Sequence, residues 1–214
     1  MANMTKRSQR DYRSPRREEQ AEQTRRRIED AARRLFLGKG FEATTIQAIA
    51  RKAGVATPTV YSIFKSKRGI VEGLIERAVF TPAYTALVHE ALESDDPYAR
   101  MHYVARIARG IFDSLRGQSE LMRGASAIAP SLMREKERMR FERQAPLVDY
   151  LVRMKALRAG LNSTAARDIL WTLTSSEIYR NLVVDRGWSS QRYEDWLGNL
   201  LAAALLKPKR TKSK

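Results

Sequence analysis

Two short apolar stripes stand on either side of Gly54, and their spacing constrains the fold more than any other stretch of the chain. Ile46, Ile49, Ala50 and Ala53 recur at i, i+3, i+4 and i+7, the repeat that lines one face of an α-helix. Thr44 is placed to accept the backbone N–H of Gln47 while the Gln47 side chain reaches back, a capping box that opens this helix. Gly54 tolerates the left-handed backbone that ends a helix abruptly, and Val55 gives the turn an apolar anchor. Thr57 offers a second cap and Pro58 suits the first helical position. Val60 and Phe64, four apart, form the next inward face. Helices of about two turns are marginal alone, so both must bury these faces on a neighbour. The pattern predicts a helix-turn-helix whose second helix is offered outward.

The neighbour is near at hand. Ile28, Ala31, Ala32, Leu35 and Phe36 share a helical face that stops at Gly38 and Gly40. Past the turn, six further helices are predicted. They run over 66–93 with a kink at Pro82, over 97–116 after the cap Asp96, and over 118–129 up to Pro130. The others run over 131–158 with a bend at Pro146, over 163–186 up to Gly187, and over 190–206. Strand patterns are scarce. The reading is all-α: a small three-helix helix-turn-helix domain over 20–66 and a larger helical domain over 67–206. Residues 1–19, with six Lys/Arg and almost nothing apolar, read as a disordered basic arm. Residues 207–214, with five basic side chains and no acid, read as a basic tail.

Charge narrows the partner. Forty Lys/Arg against 24 Asp/Glu leave a net charge of +16, which calls for a polyanion, either nucleic acid or an anionic membrane surface. The basic arm has no apolar face with which to lie on lipid, and the longest apolar run, 200–206, is far too short to span a bilayer, so no membrane partner is expected. There is no cysteine, which excludes disulfides, thiolate zinc sites and cysteine nucleophiles and fits a cytoplasmic location. The N-terminus has no apolar core for a signal peptide. His89 and His102 are the only histidines, and nucleophile elbow, phosphate loop and metal-spaced cluster are all missing. Neither an enzyme nor a metal or other cofactor is expected.

Around Gly54 the residue types suit a duplex. From Thr24 to Arg68 eleven Lys/Arg face Glu29, Asp30 and Glu42. Arg25, Arg26 and Arg27 precede the first core residue and are candidates for the sugar-phosphate backbone. Thr44 and Thr45 lie at a helix N-terminus, where hydroxyls and backbone N–H groups bind phosphate, and Ser66 and Lys67 open the next helix in the same way. The outward face of the second helix carries Thr57, Thr59, Tyr61 and Ser62, and its first basic residue is Lys65. Without an arginine, bidentate guanine reading is not expected. Hydroxyls, the Pro58 ring against a thymine methyl, and duplex shape have to supply selectivity.

Through "RRRIEDAARRLFLGKGFEATTIQAIARKAGVATPTVYSIFKSKRGIVEGLI" the chain resembles the TetR family of bacterial transcription regulators. The resemblance implies that Thr44, Thr45, Tyr61 and Lys67 bind phosphate and that Thr57, Pro58, Thr59 and Ser62 face bases. Two positions depart from the family pattern. Ile63 stands where an aromatic or His is usual, and Gly69 where an acidic residue often closes the capping box of the following helix, which implies a looser start to it. The stretch from Trp171 to Leu206 resembles the paired dimerisation helices of such regulators. There Trp171, Ser175, Ile178 and Leu182 form one face and Tyr193, Trp196, Leu197, Leu200, Leu201 and Leu205 the other. Between these units His102, Tyr103, Phe112, Met122, Met133 and Trp171 are candidates to line a pocket for a small apolar effector. The expectation is a homodimer that binds a palindromic double-stranded operator, a repressor released by that effector. The alternative is a nonspecific or architectural DNA-binding protein without a ligand.

Overall fold

The structure, a computed structural model, describes residues 15–116 and 130–208. Among the described residues it is helical throughout, with no strand beyond one isolated bridge between Leu157 and Leu206. The chain divides into two compact units, one up to Gly73 and the other from Leu74 onward. That division falls seven residues past the expected boundary, inside a helix.

The first unit is built on α1 (Pro15–Lys39), α2 (Ile46–Ala53), α3 (Thr57–Phe64) and the start of α4 (Lys67–Val79). α1 packs on α2, and α2 on α3. The core holds the side chains that the periodicity singles out: Ile28, Ala31, Ala32 and Phe36 with Ile49, Ala50, Ala53, Val60 and Phe64. Gly54 takes the left-handed conformation (φ 65°) and its N–H returns to α2 carbonyls, so the helix stops and α3 can cross it. Thr45, not Thr44, caps α2: its side chain accepts the N–H of Ala48 at 3.1 Å. Likewise Ala56 rather than Thr57 precedes α3, and Thr57 and Pro58 form its first turn. α1 starts at Pro15, so residues 15–19 of the expected arm are helical. Proline tolerated in a first turn, followed by good helix formers, explains the extension. Residues 1–14 lie outside the described ones, as do 209–214 of the tail and the whole of the helix expected over 118–129.

Three long helices expected in the second unit are interrupted. Pro82 starts α5 (Pro82–Glu93) instead of kinking a longer helix, because Thr81 caps it by accepting the N–H of Tyr84. α6 (Pro97–Arg116) has its expected bounds. Near Pro146 the chain breaks into α7 (Pro130–Arg143) and α8 (Ala145–Arg153). Finally α9 (Ser163–Leu173) stops at Thr174, a short α10 (Ser176–Tyr179) follows, and a π-helical turn (Arg180–Asp185) completes the segment. At that break the Thr174 hydroxyl donates to the Leu170 carbonyl at 2.7 Å, and Arg140 Nη1 donates to the Trp171 carbonyl at 2.8 Å. A hydroxyl and a guanidinium thus take up carbonyls near the C-terminal end of α9.

The second core forms mainly between α6 and α11 (Ser190–Leu205). Met101, Ala105 and Ala108 join Tyr193, Leu197, Leu201 and Leu205, the last four with no exposure at all. Gly198 permits close approach, since a Cβ there would overlap the His102 ring. A polar seam runs beside this core. Glu194, 8% exposed, accepts from Arg106 and Arg109. Asp113 accepts from Tyr179, Ser190 and Arg109. Partial burial acts to raise the Asp113 pKa, but the Tyr179 and Ser190 hydrogen bonds and the Arg109 charge together hold it below the ordinary carboxylate value.

Candidate nucleic-acid interface

α3 is anchored from below and open above. Val60 and Phe64 are buried, whereas Pro58, Tyr61, Ser62 and Lys65 are exposed and Thr57 and Thr59 are half-exposed. Tyr61 presents 45% of its surface, a large aromatic held outward by a helix whose other face is fixed. Thr45 sits exposed at the N-terminus of α2, where its hydroxyl oxygen accepts the Ala48 N–H. Arg51 and Lys52, also exposed, add positive charge in the last turn of α2.

Other candidates are engaged by their own unit. Thr44 is 2% exposed and its hydroxyl donates to the Gly40 carbonyl at 2.8 Å, which leaves no side chain to meet a phosphate. Lys67 donates from Nζ to the carbonyls of Phe41 at 2.7 Å, Thr44 at 3.0 Å and Glu42 at 3.3 Å, and lies 4.2 Å from the centre of the Phe41 ring. An ammonium has three protons, and here each has an acceptor within the protein. Arg25 pairs with Glu29 at 3.2 Å and stacks over Phe64 at 4.8 Å, tying α1 to the end of α3. Arg27 donates to the carbonyls of Ala53 and Gly54, so it closes the C-terminus of α2. Thr44, Lys67, Arg25 and Arg27, all expected to face the sugar-phosphate backbone, are thus each engaged within their own unit. Their signal was present in the sequence: free carbonyls at a helix end and in a tight turn need donors, and long basic side chains supply them.

The junction after α3 is tight. Lys65 adopts φ 62°, ψ −35°, and the Ser66 N–H returns to the Phe64 carbonyl at 2.7 Å. This three-residue reversal is a strained one for a residue with a Cβ. Ser66 caps α4 by accepting the Gly69 N–H at 3.0 Å. A Cβ at Gly69 would overlap the Phe64 carbonyl oxygen. The looser start of α4 implied by the missing acidic residue is therefore not found: a serine cap holds it, and only glycine fits.

The residues proposed for an effector pocket are not gathered in one place. His102 lines an open cleft of about 790 Å³ beside Asp96, Tyr98, Arg158, Asn199 and Leu206. Phe112 packs instead on Tyr179, ring centres 5.1 Å apart, and Tyr103 is half-buried elsewhere on α6. Trp171, 36% exposed, meets Arg140 and Phe141. Met122 lies outside the described residues, as does the Met133 side chain. Of the dimer candidates, Tyr193, Leu197, Leu201 and Leu205 are consumed by the chain's own core, for the reason that α11 is the central helix of its unit. Trp171, Ser175, Ile178, Leu182, Trp196 and Leu200 keep exposed or half-exposed surface.

Residues 28–74 match the model of "Bacterial regulatory proteins, tetR family". The helix-turn-helix unit belongs to the tetR family. Two relatives carry the same similarity. One is an uncharacterized HTH-type transcriptional regulator, YvkB of Bacillus subtilis, 46% identical over 54 residues, 25% of this chain and 29% of that protein. The other is the HTH-type transcriptional regulator TtgR of Pseudomonas putida, 34% identical over 83 residues, 39% of this chain and 40% of that protein. The matched stretch thus spans well under half of either relative. Two solved structures share the fold across both units. NalD, the secondary repressor of the MexAB-OprM multidrug efflux pump in Pseudomonas aeruginosa, has a TM-score of 0.61 at 23% identity, covering 88% of this chain and 98% of that one. The SmeT–triclosan complex has a TM-score of 0.64 at 21% identity, covering 89% and 97%. The tetR-type unit therefore sits in a chain whose helical C-terminal unit also follows the fold of these proteins. No helix among the described residues is long and apolar enough to cross a membrane.

Proposed function

We infer that this chain is a homodimeric transcriptional regulator that binds a palindromic operator and acts as a repressor released by a small apolar effector. The observation that carries this reading is α3: a helix pinned by Val60 and Phe64, with Thr57, Pro58, Thr59, Tyr61 and Ser62 left to solvent. Such a helix fits a major groove, and Thr45 and Tyr61 fit the flanking phosphates. Dimerisation is supported by the half-exposed apolar residues Ile178, Leu182, Trp196 and Leu200, which remain after the core of the second unit is formed. A two-fold axis would place two copies of α3 about 34–36 Å apart, one turn of duplex. Ligand release is supported by likeness of fold to SmeT, which was solved with triclosan, and to NalD, a repressor.

The test is fluorescence anisotropy against a duplex selected from random sequence and against its scrambled form, at one salt concentration. A regulator prefers the selected site by ~10³-fold or more. Equal affinity for both duplexes would favour the alternative of an architectural coater, which the +16 net charge also suits. Replacing Tyr61 with Ala should weaken operator binding and leave the sedimentation of the dimer unchanged. Loss of the dimer would instead remove Tyr61 from the interface.

A further inference from the structure

α1 carries three consecutive arginines, and the fold gives them different partners. Arg26 is exposed and pairs with Glu22 of its own helix at 2.9 Å. Arg27 reaches across to the turn between α2 and α3. It donates from Nη2 to the Ala53 carbonyl at 2.6 Å and the Gly54 carbonyl at 2.9 Å, and from Nε to the Ala53 carbonyl at 3.1 Å. Arg25 reaches the far end of α3. Its guanidinium lies 4.8 Å from the centre of the buried Phe64 ring, and its Nε lies 3.2 Å from Glu29. Glu29 is itself buried, and a carboxylate so placed is costly unless paired. Gly73 of α4 closes the group: a Cβ there would lie 2.9 Å from Glu29 Oε1, 3.0 Å from Phe64 Cε1 and 3.1 Å from Arg25 Nη2. α1, α3 and α4 thus meet around this pair with no room for a further methyl.

The two arginines therefore grip the segment 53–64 at both ends, the turn that precedes α3 and the ring that finishes it. Such support matters because of what α3 offers. Thr57, Thr59 and Ser62 carry their hydroxyls directly on Cβ, and the Pro58 ring closes on its own backbone. None of them can extend toward a displaced base as a long arginine or lysine can. Hydrogen bonds weaken steeply as distance and angle stray. A site of short side chains must be held within about 0.5 Å and ~10–20° by its supports. Phosphate contacts through long basic side chains carry no sequence information and tolerate more displacement.

We propose that Arg25 and Arg27 are positioning residues for base reading. They set where α3 stands, and through it the preference for one sequence, without themselves touching the duplex. The proposal rests on the regulator reading above and adds to it the residues on which selectivity depends.

The experiment uses the full chain with Arg25→Lys and Arg27→Lys, which keep the charge, and Arg26→Gln, which removes it. An ammonium can neither bridge two carbonyls as a planar fork does nor stack flat on a ring. Circular-dichroism melts fix a temperature at which the proteins are folded. Anisotropy is then read at that temperature and one salt concentration, on a duplex selected by the wild-type protein and on its scrambled form. Each lysine variant should lose about tenfold on the selected duplex, the equivalent of roughly one hydrogen bond, and keep its affinity for the scrambled one. Arg26→Gln should weaken both duplexes by one factor and keep their ratio. The proposal is overturned if either folded lysine variant keeps the wild-type ratio, whether both duplexes bind as before or both bind more weakly. It is equally overturned if Arg26→Gln lowers the ratio as far, since charge alone then suffices. Should one lysine variant not fold, the other decides; failure of both to fold overturns the proposal, because the arginines then serve the fold alone. Equal binding of both duplexes by the wild-type protein sinks the regulator reading itself. A selective wild type with unaltered lysine variants sinks the positioning role alone.

Discussion

Replacing Lys67 with Met separates two incompatible roles for one side chain. The stem is retained and only the ammonium is lost. In the structure that ammonium has three carbonyl acceptors at 2.7, 3.0 and 3.3 Å and a ring centre at 4.2 Å. A hydrogen bond to a charged group contributes about 1.5–3 kcal/mol, and an exposed cation–π contact about 0.5–1 kcal/mol. The site is only half-buried, so water replaces part of what is lost. The longest bond, to Glu42, also contributes least. A net loss of about 2–3 kcal/mol is expected, which in a unit of this size lowers its Tm by ~10–20 °C. The assay is circular-dichroism melting together with anisotropy on the operator at several salt concentrations. The internal role predicts lower stability and an unchanged salt slope once both proteins are folded. A phosphate contact predicts the opposite: unaltered Tm, and a slope shallower by ~0.9 for each copy of Lys67 at the duplex. The second result would refute the reading of Lys67 as a staple between α4 and the turn before α2.

Three further outcomes are expected. Gly69→Ala drives a methyl into the Phe64 carbonyl, so α3 and α4 must part; stability should fall by about 1–3 kcal/mol and operator affinity with it, and urea melts equal to wild type would show the junction to be slack. Lys65→Gly relieves a positive φ and should stabilise the protein by about 1 kcal/mol, whereas a loss would mean that the Lys65 amine bonded to Ser62 matters more. The Asp113 pKa is lowered on folding, so its contribution is present above the ordinary carboxylate value and lost as pH falls below about 4. Asp113→Asn should therefore flatten the acid limb of a Tm-against-pH curve, and an unchanged limb would contradict the depressed value. Tyr179 and Tyr193, both raised, act in the other sense: their stabilisation holds below about pH 10 and fades above it.

Much of the first unit was legible because its signals are local. Ile46, Ile49, Ala50 and Ala53 can share a face only in a helix, and Gly54 is the residue that a left-handed stop accepts without strain. The core of α1, α2 and α3 and the exposed face of α3 follow from that periodicity alone. Caps were misplaced by one residue, early at Thr44 and late at Thr57: Thr44 and Thr45 offer the same hydroxyl and the backbone decides between them, whereas α3 starts after Ala56, which has no side-chain oxygen to cap with. In the second unit the long helices read from the sequence are cut at Thr81, Gln144 and Thr174. Proline and β-branched residues announce such breaks only weakly, since neighbouring chain can satisfy or refuse the exposed carbonyls.

The amino-acid order by itself determined the helical class, the place of the helix-turn-helix and the outward chemistry of its second helix, since each depends on contacts within about a turn. Only the tertiary structure decided what each long polar side chain does. Lys67, Arg25 and Arg27 carry the same charge as Arg51 and Lys52, yet the first three are engaged by carbonyls, a carboxylate and rings of their own unit while the last two face solvent. It also decided that Tyr193, Leu197, Leu201 and Leu205 belong to the chain's own interior. An apolar stripe records that a face is buried but not against what, and a basic residue records a charge but not its acceptor; both partners arrive from elsewhere in the chain, and only folding brings them together.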